Sequence, residues 1–170
     1  MPTRRQAFTL MELVVVISIL AILSGVLVPR VTSHLKSARD ARRLADLKAV
    51  RTAIEQYRLD LGVYPPANAS STNGGWDVSF DGDFIPVLTE QGYLDEDALD
   101  PLNDSTFHYR YYVYARSSYG CVGTQDFYVL GIRNFESSDF AAKNKGFFSC
   151  SGRDWNEEFA YVTGGGVDPQ

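Results

Sequence analysis

The chain has 170 residues, 45% of them apolar and 13% aromatic, with a formal charge of -5. That composition supports one packed domain with a further segment, and it excludes global disorder. The charge is uneven: residues 30–60 hold eight Lys/Arg against four Asp/Glu, whereas residues 61–170 hold six against sixteen. A basic stalk followed by an acidic body does not fit a nucleic-acid-binding domain, whose basic patch belongs on the folded surface.

Residues 1–7 are short and polar, with Arg4 and Arg5 as their only charges, which places them on the cytoplasmic side of a membrane. From Phe8, 21 residues precede Pro29, about 31 Å of helix and enough to cross a hydrocarbon core. Residues 13–28 carry no charge, yet Glu12 stands at their mouth. Three readings compete for that carboxylate. A cleaved secretory signal has a shorter apolar core and ends at a small-x-small site, whereas this run ends in Leu27-Val28-Pro29-Arg30. In a plain uncleaved anchor, Thr9 and Glu12 form a T-x-x-E capping box and nothing more. In the third reading, the carboxylate has its partner on another molecule.

Past Pro29 the pattern becomes one-sided. Val31, Leu35, Ala38, Ala41, Leu44, Leu47, Val50, Ile54, Tyr57 and Leu61 recur at steps of three and four, predicting one apolar helix face. Arg39, Asp40, Arg42, Arg43, Asp46, Lys48, Arg51, Glu55 and Arg58 fill the remainder, a mixed-charge polar face. Gly62 and Pro65 end the helix, and Pro29 kinks or locally melts it.

The segment MPTRRQA followed by FTLMELVVVISILAIL resembles the class III signal of type IV prepilins and type II secretion pseudopilins. The stretch Tyr57, Asp60, Gly62, Tyr64 and Pro65, with Gly92-Tyr93-Leu94 and Asp100-Pro101 beyond it, resembles the major-pseudopilin-like branch. The resemblance implies a cut between Ala7 and Phe8 by a prepilin peptidase, N-methylation of Phe8, and Glu12 as the fifth mature residue. The family normally has Gly before the cut, where this chain has Ala7. It also implies a pilin fold in the α+β class, a long N-terminal helix packed on a small antiparallel sheet. The expected divisions are a leader over 1–7, a membrane or filament-core helix over 8–29, an amphipathic half over 30–62 and a β-rich extracytoplasmic head over 63–170. As to function, the resemblance implies a homopolymeric filament subunit, held in the membrane before assembly and driven by a cytoplasmic ATPase through an inner-membrane platform. In the filament, Glu12 would meet the Phe8 ammonium of a neighbouring copy, since an unpaired charge shielded from water is far worse than a paired one. The alternative is a single-pass membrane-anchored surface-binding protein that does not polymerise.

In the body, residues 65–82 read as a loop and residues 84–94 as a short helix ending at Gly92, while 107–116, 126–133 and 158–163 read as strands. Residues 107–116 alternate, so one face packs on the long helix and the other is wet or meets a neighbouring subunit. Cys121 and Cys150 are two buried thiols or one disulfide; the export-type N-terminus favours the disulfide, closing a loop of about 30 residues and contributing roughly 3–4 kcal/mol. No cofactor is required. Glu136 and Asp139 lie where major pseudopilins of the secretion branch bind calcium, and two oxygen ligands suit that ion; solvated loop acids are the other reading. The run Asp95-Glu96-Asp97 with Asp100 lacks the glycine and terminal glutamate of an EF-hand and reads as surface. The chain contains no H-E-x-x-H, G-x-S-x-G or P-loop, so no enzyme is expected.

Overall fold

Helix α1 (Leu10–Leu61) joins the apolar run to the three-four repeat without a break and continues through Pro29. The computed structural model describes residues 9–68 and 71–168. At its end the Gly62 N–H donates to the Arg58 carbonyl at 2.8 Å, and Gly62 takes φ 75°, a left-handed conformation that costs glycine nothing. The chain divides into two compact units, Met1–Lys36 and Ser37–Gln170, and α1 contributes to both.

The second unit is built on a four-stranded antiparallel sheet of order β1-β2-β3-β6. Its strands are β1 (Asp77–Val78), β2 (Tyr109–Tyr114), β3 (Phe127–Ile132) and β6 (Tyr161–Gly165). Tyr111 pairs with Leu130, and Leu130 pairs in turn with Thr163, which sets one register across the three longer strands. The three expected strands are present. The last, expected over 158–163, runs instead over Tyr161–Gly165. β1 was expected as loop: two residues among Gly, Asn and Ser carry no readable alternation. Helices α2 (Val87–Glu90) and α3 (Ser138–Lys143) and the hairpin of β4 (Ser149–Cys150) and β5 (Arg153–Asp154) complete the unit.

The sheet is buried on both faces. On one, Leu47, Val50, Ile54 and Tyr57 of α1 pack with Tyr109, Tyr111, Tyr128 and Leu130, so the expected α+β packing is present. On the other, Tyr114, Phe127, Val129 and Val162 lie under Trp76, Phe148, Trp155 and Phe159. That second face was expected to be wet or to meet a neighbour. Instead the chain covers it with its own aromatic side chains, each of which buries about 150–250 Å². The helix face is also shorter than its repeat suggests: Val31 and Leu35 are 53% and 52% exposed, and Leu61 is 51% exposed.

Candidate functional site

The start of α1 is closed by its own side chains. The N–H and hydroxyl of Thr9 each donate to Glu12 Oε2 at 2.9 Å, and the Glu12 N–H donates back to Thr9 Oγ1 at 3.2 Å. This is the capping box, which satisfies helix donors that otherwise lack partners. Both bonds from Thr9 fall on Oε2, so Oε1 takes neither. The expected cleavage point between Ala7 and Phe8, and with it the expected ammonium partner, lies outside the described residues.

Beyond the cap, residues 13–17 are each 45–59% exposed, so no side of the helix is committed to a core. Five consecutive apolar residues cover more than a full turn, and such a helix needs lipid or other helices around it. α1 is long and apolar enough to cross a membrane. Ser18 does not interrupt it, because its hydroxyl donates to the Val14 carbonyl at 2.7 Å.

The second unit holds a charge cluster where a solvated face was expected. Arg43 is fully buried; its Nε and Nη2 donate to the two Asp100 oxygens at 2.6 and 2.9 Å. Its Nη1 donates to Asp40 at 2.7 Å and to Glu136 at 2.9 Å. Arg39 adds a second fork, Nε and Nη2 donating to Glu136 at 2.7 and 2.6 Å. Asp40, also fully buried, accepts from the backbone N–H groups of Glu136 and Ser137 at 3.0 and 2.8 Å. Two guanidinium groups thus meet three carboxylates, and the cluster ties α1 to the Asp100 turn and to the loop before α3. Burial alone would lower the Arg43 pKa, but its hydrogen bonds to Asp100 and Glu136 raise it above the ordinary arginine range. Hydrogen bonds from Arg39, with those from Arg43, hold the Glu136 carboxyl down at about 2.

Glu136 therefore faces arginines, and a calcium ion there would compete with two guanidinium groups for its oxygens. Asp139 sits in the first turn of α3. Among the described residues, no three His, Cys, Asp or Glu side chains gather as metal ligands. Cys121 and Cys150 form a disulfide with Cα atoms 5.0 Å apart, as expected from the sequence. His34 is exposed on α1, while His108 is buried, with Nε2 accepting from Arg110 at 2.9 Å. A further buried carboxyl group outside the cluster, that of Asp77, accepts from the N–H groups of Asn68 and Ile85 at 2.7 and 3.1 Å. Its Oδ1 has no partner among the described residues, and burial pushes its carboxyl up to about 6.

Residues 2–28 match the family described as the prokaryotic N-terminal methylation motif. The type II secretion system core protein G of Escherichia coli (strain K12) is 28% identical over 133 residues, 72% of this chain and 88% of that protein. The protein of the same name from Vibrio cholerae serotype O1 is 29% identical over 139 residues, 80% of this chain and 86% of its own length. Its Pseudomonas aeruginosa namesake is 41% identical over 66 residues, 38% of this chain and 46% of its own. No solved structure gives a significant match.

Proposed function

We propose that the chain, a filament-forming structural subunit of the type IV pilin and type II secretion pseudopilin family, is a repeating subunit of a secretion pseudopilus. The observation that carries the reading is a helix apolar on all sides that begins at a capped glutamate. The secretion branch rather than a surface pilus is favoured by relatives named as type II secretion core proteins.

In this mechanism the precursor waits in the membrane on α1 until a prepilin peptidase cuts before Phe8 and methylates the new amine. Glu12 then exchanges its intrachain cap for the Phe8 ammonium of a neighbour. A carboxylate in lipid costs about 2.5–3.5 kcal/mol at the bilayer centre and less at the mouth of the span, where Glu12 stands, so pairing within the filament favours extraction from lipid. An assembly ATPase acting through an inner-membrane platform supplies the work, and the filament lies in the periplasm. Mass spectrometry of the mature chain tests processing: a methylated Phe8 at the N-terminus is expected, and an intact Met1 would refute it. Loss of secretion on deletion of the chain, with twitching and DNA uptake intact, is the outcome expected of the secretion branch.

The closed Thr9–Glu12 box favours a second reading of Glu12 as a helix cap alone. Glu12→Ala separates the two. Pairing predicts lost filaments with membrane insertion preserved, read by electron microscopy and membrane fractionation. A cap alone predicts normal filaments and a loss of about 1 kcal/mol in helix stability.

A further inference from the structure

A groove of about 310 Å³ opens on the second unit between the outward side of α1 and residues 94–99. Ala49, Leu94 and Leu99 give it an apolar floor, and Leu99 is left exposed. Asp46, Asp95, Glu96 and Asp97 line its rim against a single cation, Arg42, so four carboxylates minus one guanidinium leave a net charge of -3. Arg42 reaches Asp46 only at 3.6 Å, and Asp95 and Glu96 are exposed. Burial raises the Asp46 carboxyl above its ordinary range, against the Tyr109 hydroxyl and Arg42, which lower it.

The complementary chemistry stands on the first unit. Arg30, His34 and Lys36 are exposed, and among the described residues neither Arg30 nor Lys36 forms an ion pair. Val31 and Leu35, four residues apart and so on one helix face, are both about half exposed. The segment is thus an apolar pair flanked by cations, and the groove is an apolar floor flanked by carboxylates.

We propose that the acidic groove of one copy receives residues 30–36 of a second copy, with Val31 and Leu35 on the floor and Arg30 and Lys36 toward the rim. This rests on the filament reading above. One copy gives its groove and the other its segment, so the contact is heterologous, and in the filament it repeats from copy to copy as an open helical array instead of closing on itself. The charges choose the partner and set the docking register more than they supply affinity.

A charge swap in the full-length chain tests it, with filaments counted by electron microscopy. Asp95→Lys with Glu96→Lys reverses the rim; Asp97 is left in place because it accepts from the Thr89 hydroxyl. Arg30→Glu with Lys36→Glu reverses the segment. Each reversal is expected to cut filament number about tenfold, the scale of a like-charge clash across an interface, and their combination to restore most of it. Unchanged melting of each detergent-solubilised variant confirms that the fold survives. As a direct readout, Lys36→Cys in one copy and Glu96→Cys in another should give intermolecular disulfides in wild-type-like filaments. If both reversals leave filament number unchanged, or the combination is no better than either alone, the proposal is overturned while the filament reading stands. If only the rim reversal matters, the groove takes a different partner and the second-copy proposal also falls. If the unmodified chain makes no filaments, it is the filament reading that fails.

Discussion

Arg43 concentrates most of what a single residue does in this fold. It sits at 0% exposure with four hydrogen bonds to three carboxylates. Removing it leaves Asp40 and Asp100 buried without their cation, and Arg43→Ala is expected to destabilise the chain by about 3–5 kcal/mol, measured by chemical denaturation in detergent. Two carboxylates set opposite pH dependences. Asp77 has its pKa raised from 3.8 to about 6, so its contribution is full below the unfolded value and is lost as pH rises through about 6. Glu136 has its pKa lowered from 4.5 to about 2, so its contribution holds above 4.5 and is lost as pH falls toward 2. Between them, denaturation midpoints should rise from about pH 7 to about pH 5 and fall again below about pH 4, and Asp77→Asn should flatten the upper limb. A flat profile between pH 7 and 5 in the unmodified chain would count against the Asp77 assignment. None of these roles was legible in the sequence. On an amphipathic repeat, Asp40 and Arg43 read as solvated, and the partners that bury Arg43 lie 57 and 93 residues away. Glu12 was legible, because its cap partner is three residues distant.

Among the elements, long and regular ones were readable and short ones were not. α1 announces itself by apolar length and then by period, and its end by Gly62; β2 announces itself by alternation and β3 by a short continuous apolar run. β1, β4 and β5 are two residues each, too short to carry any period. Their placement comes from contacts distant in sequence: Trp76, Phe148 and Trp155 converge on the far face of the sheet only once it exists. The Cys121–Cys150 bridge fastens one such piece, joining the end of the Ser118–Gly120 turn to β4. Cys121→Ser with Cys150→Ser should therefore lower unfolding free energy by roughly 3 kcal/mol in the chain-entropy model while far-UV circular dichroism stays near native. An unchanged denaturation midpoint would show that the aromatic cover holds this face without the crosslink.

At the scale of the molecule, the chain separates tasks: Met1–Lys36 holds exposed apolar surface, and Ser37–Gln170 holds nearly all the described core. A variant beginning at Ser37 keeps both hydrophobic clusters and the Arg43 cluster, and should sediment as a soluble monomer. Persistent self-association of that variant would place the main assembly surface elsewhere. Charge and hydropathy change along the sequence near residues 29 and 62, so an apolar segment and an acidic body were visible there, but a boundary at residue 36 was not. What covers the head was not visible either, for want of any local signal. The Arg43 cluster has a mechanical consequence as well. A filament bears tension, and a helix held to a sheet by aliphatic contacts alone can creep along it, since a slip of one turn, about 5.4 Å, trades one apolar side chain for another. No such trade exists for Arg43, whose fork would lose Asp100 and Glu136 together, while Asp40, carried along on the same helix, would lose the N–H groups of Glu136 and Ser137. The buried ions act as a shear pin, fixing how far along the sheet the helix sits when it is pulled.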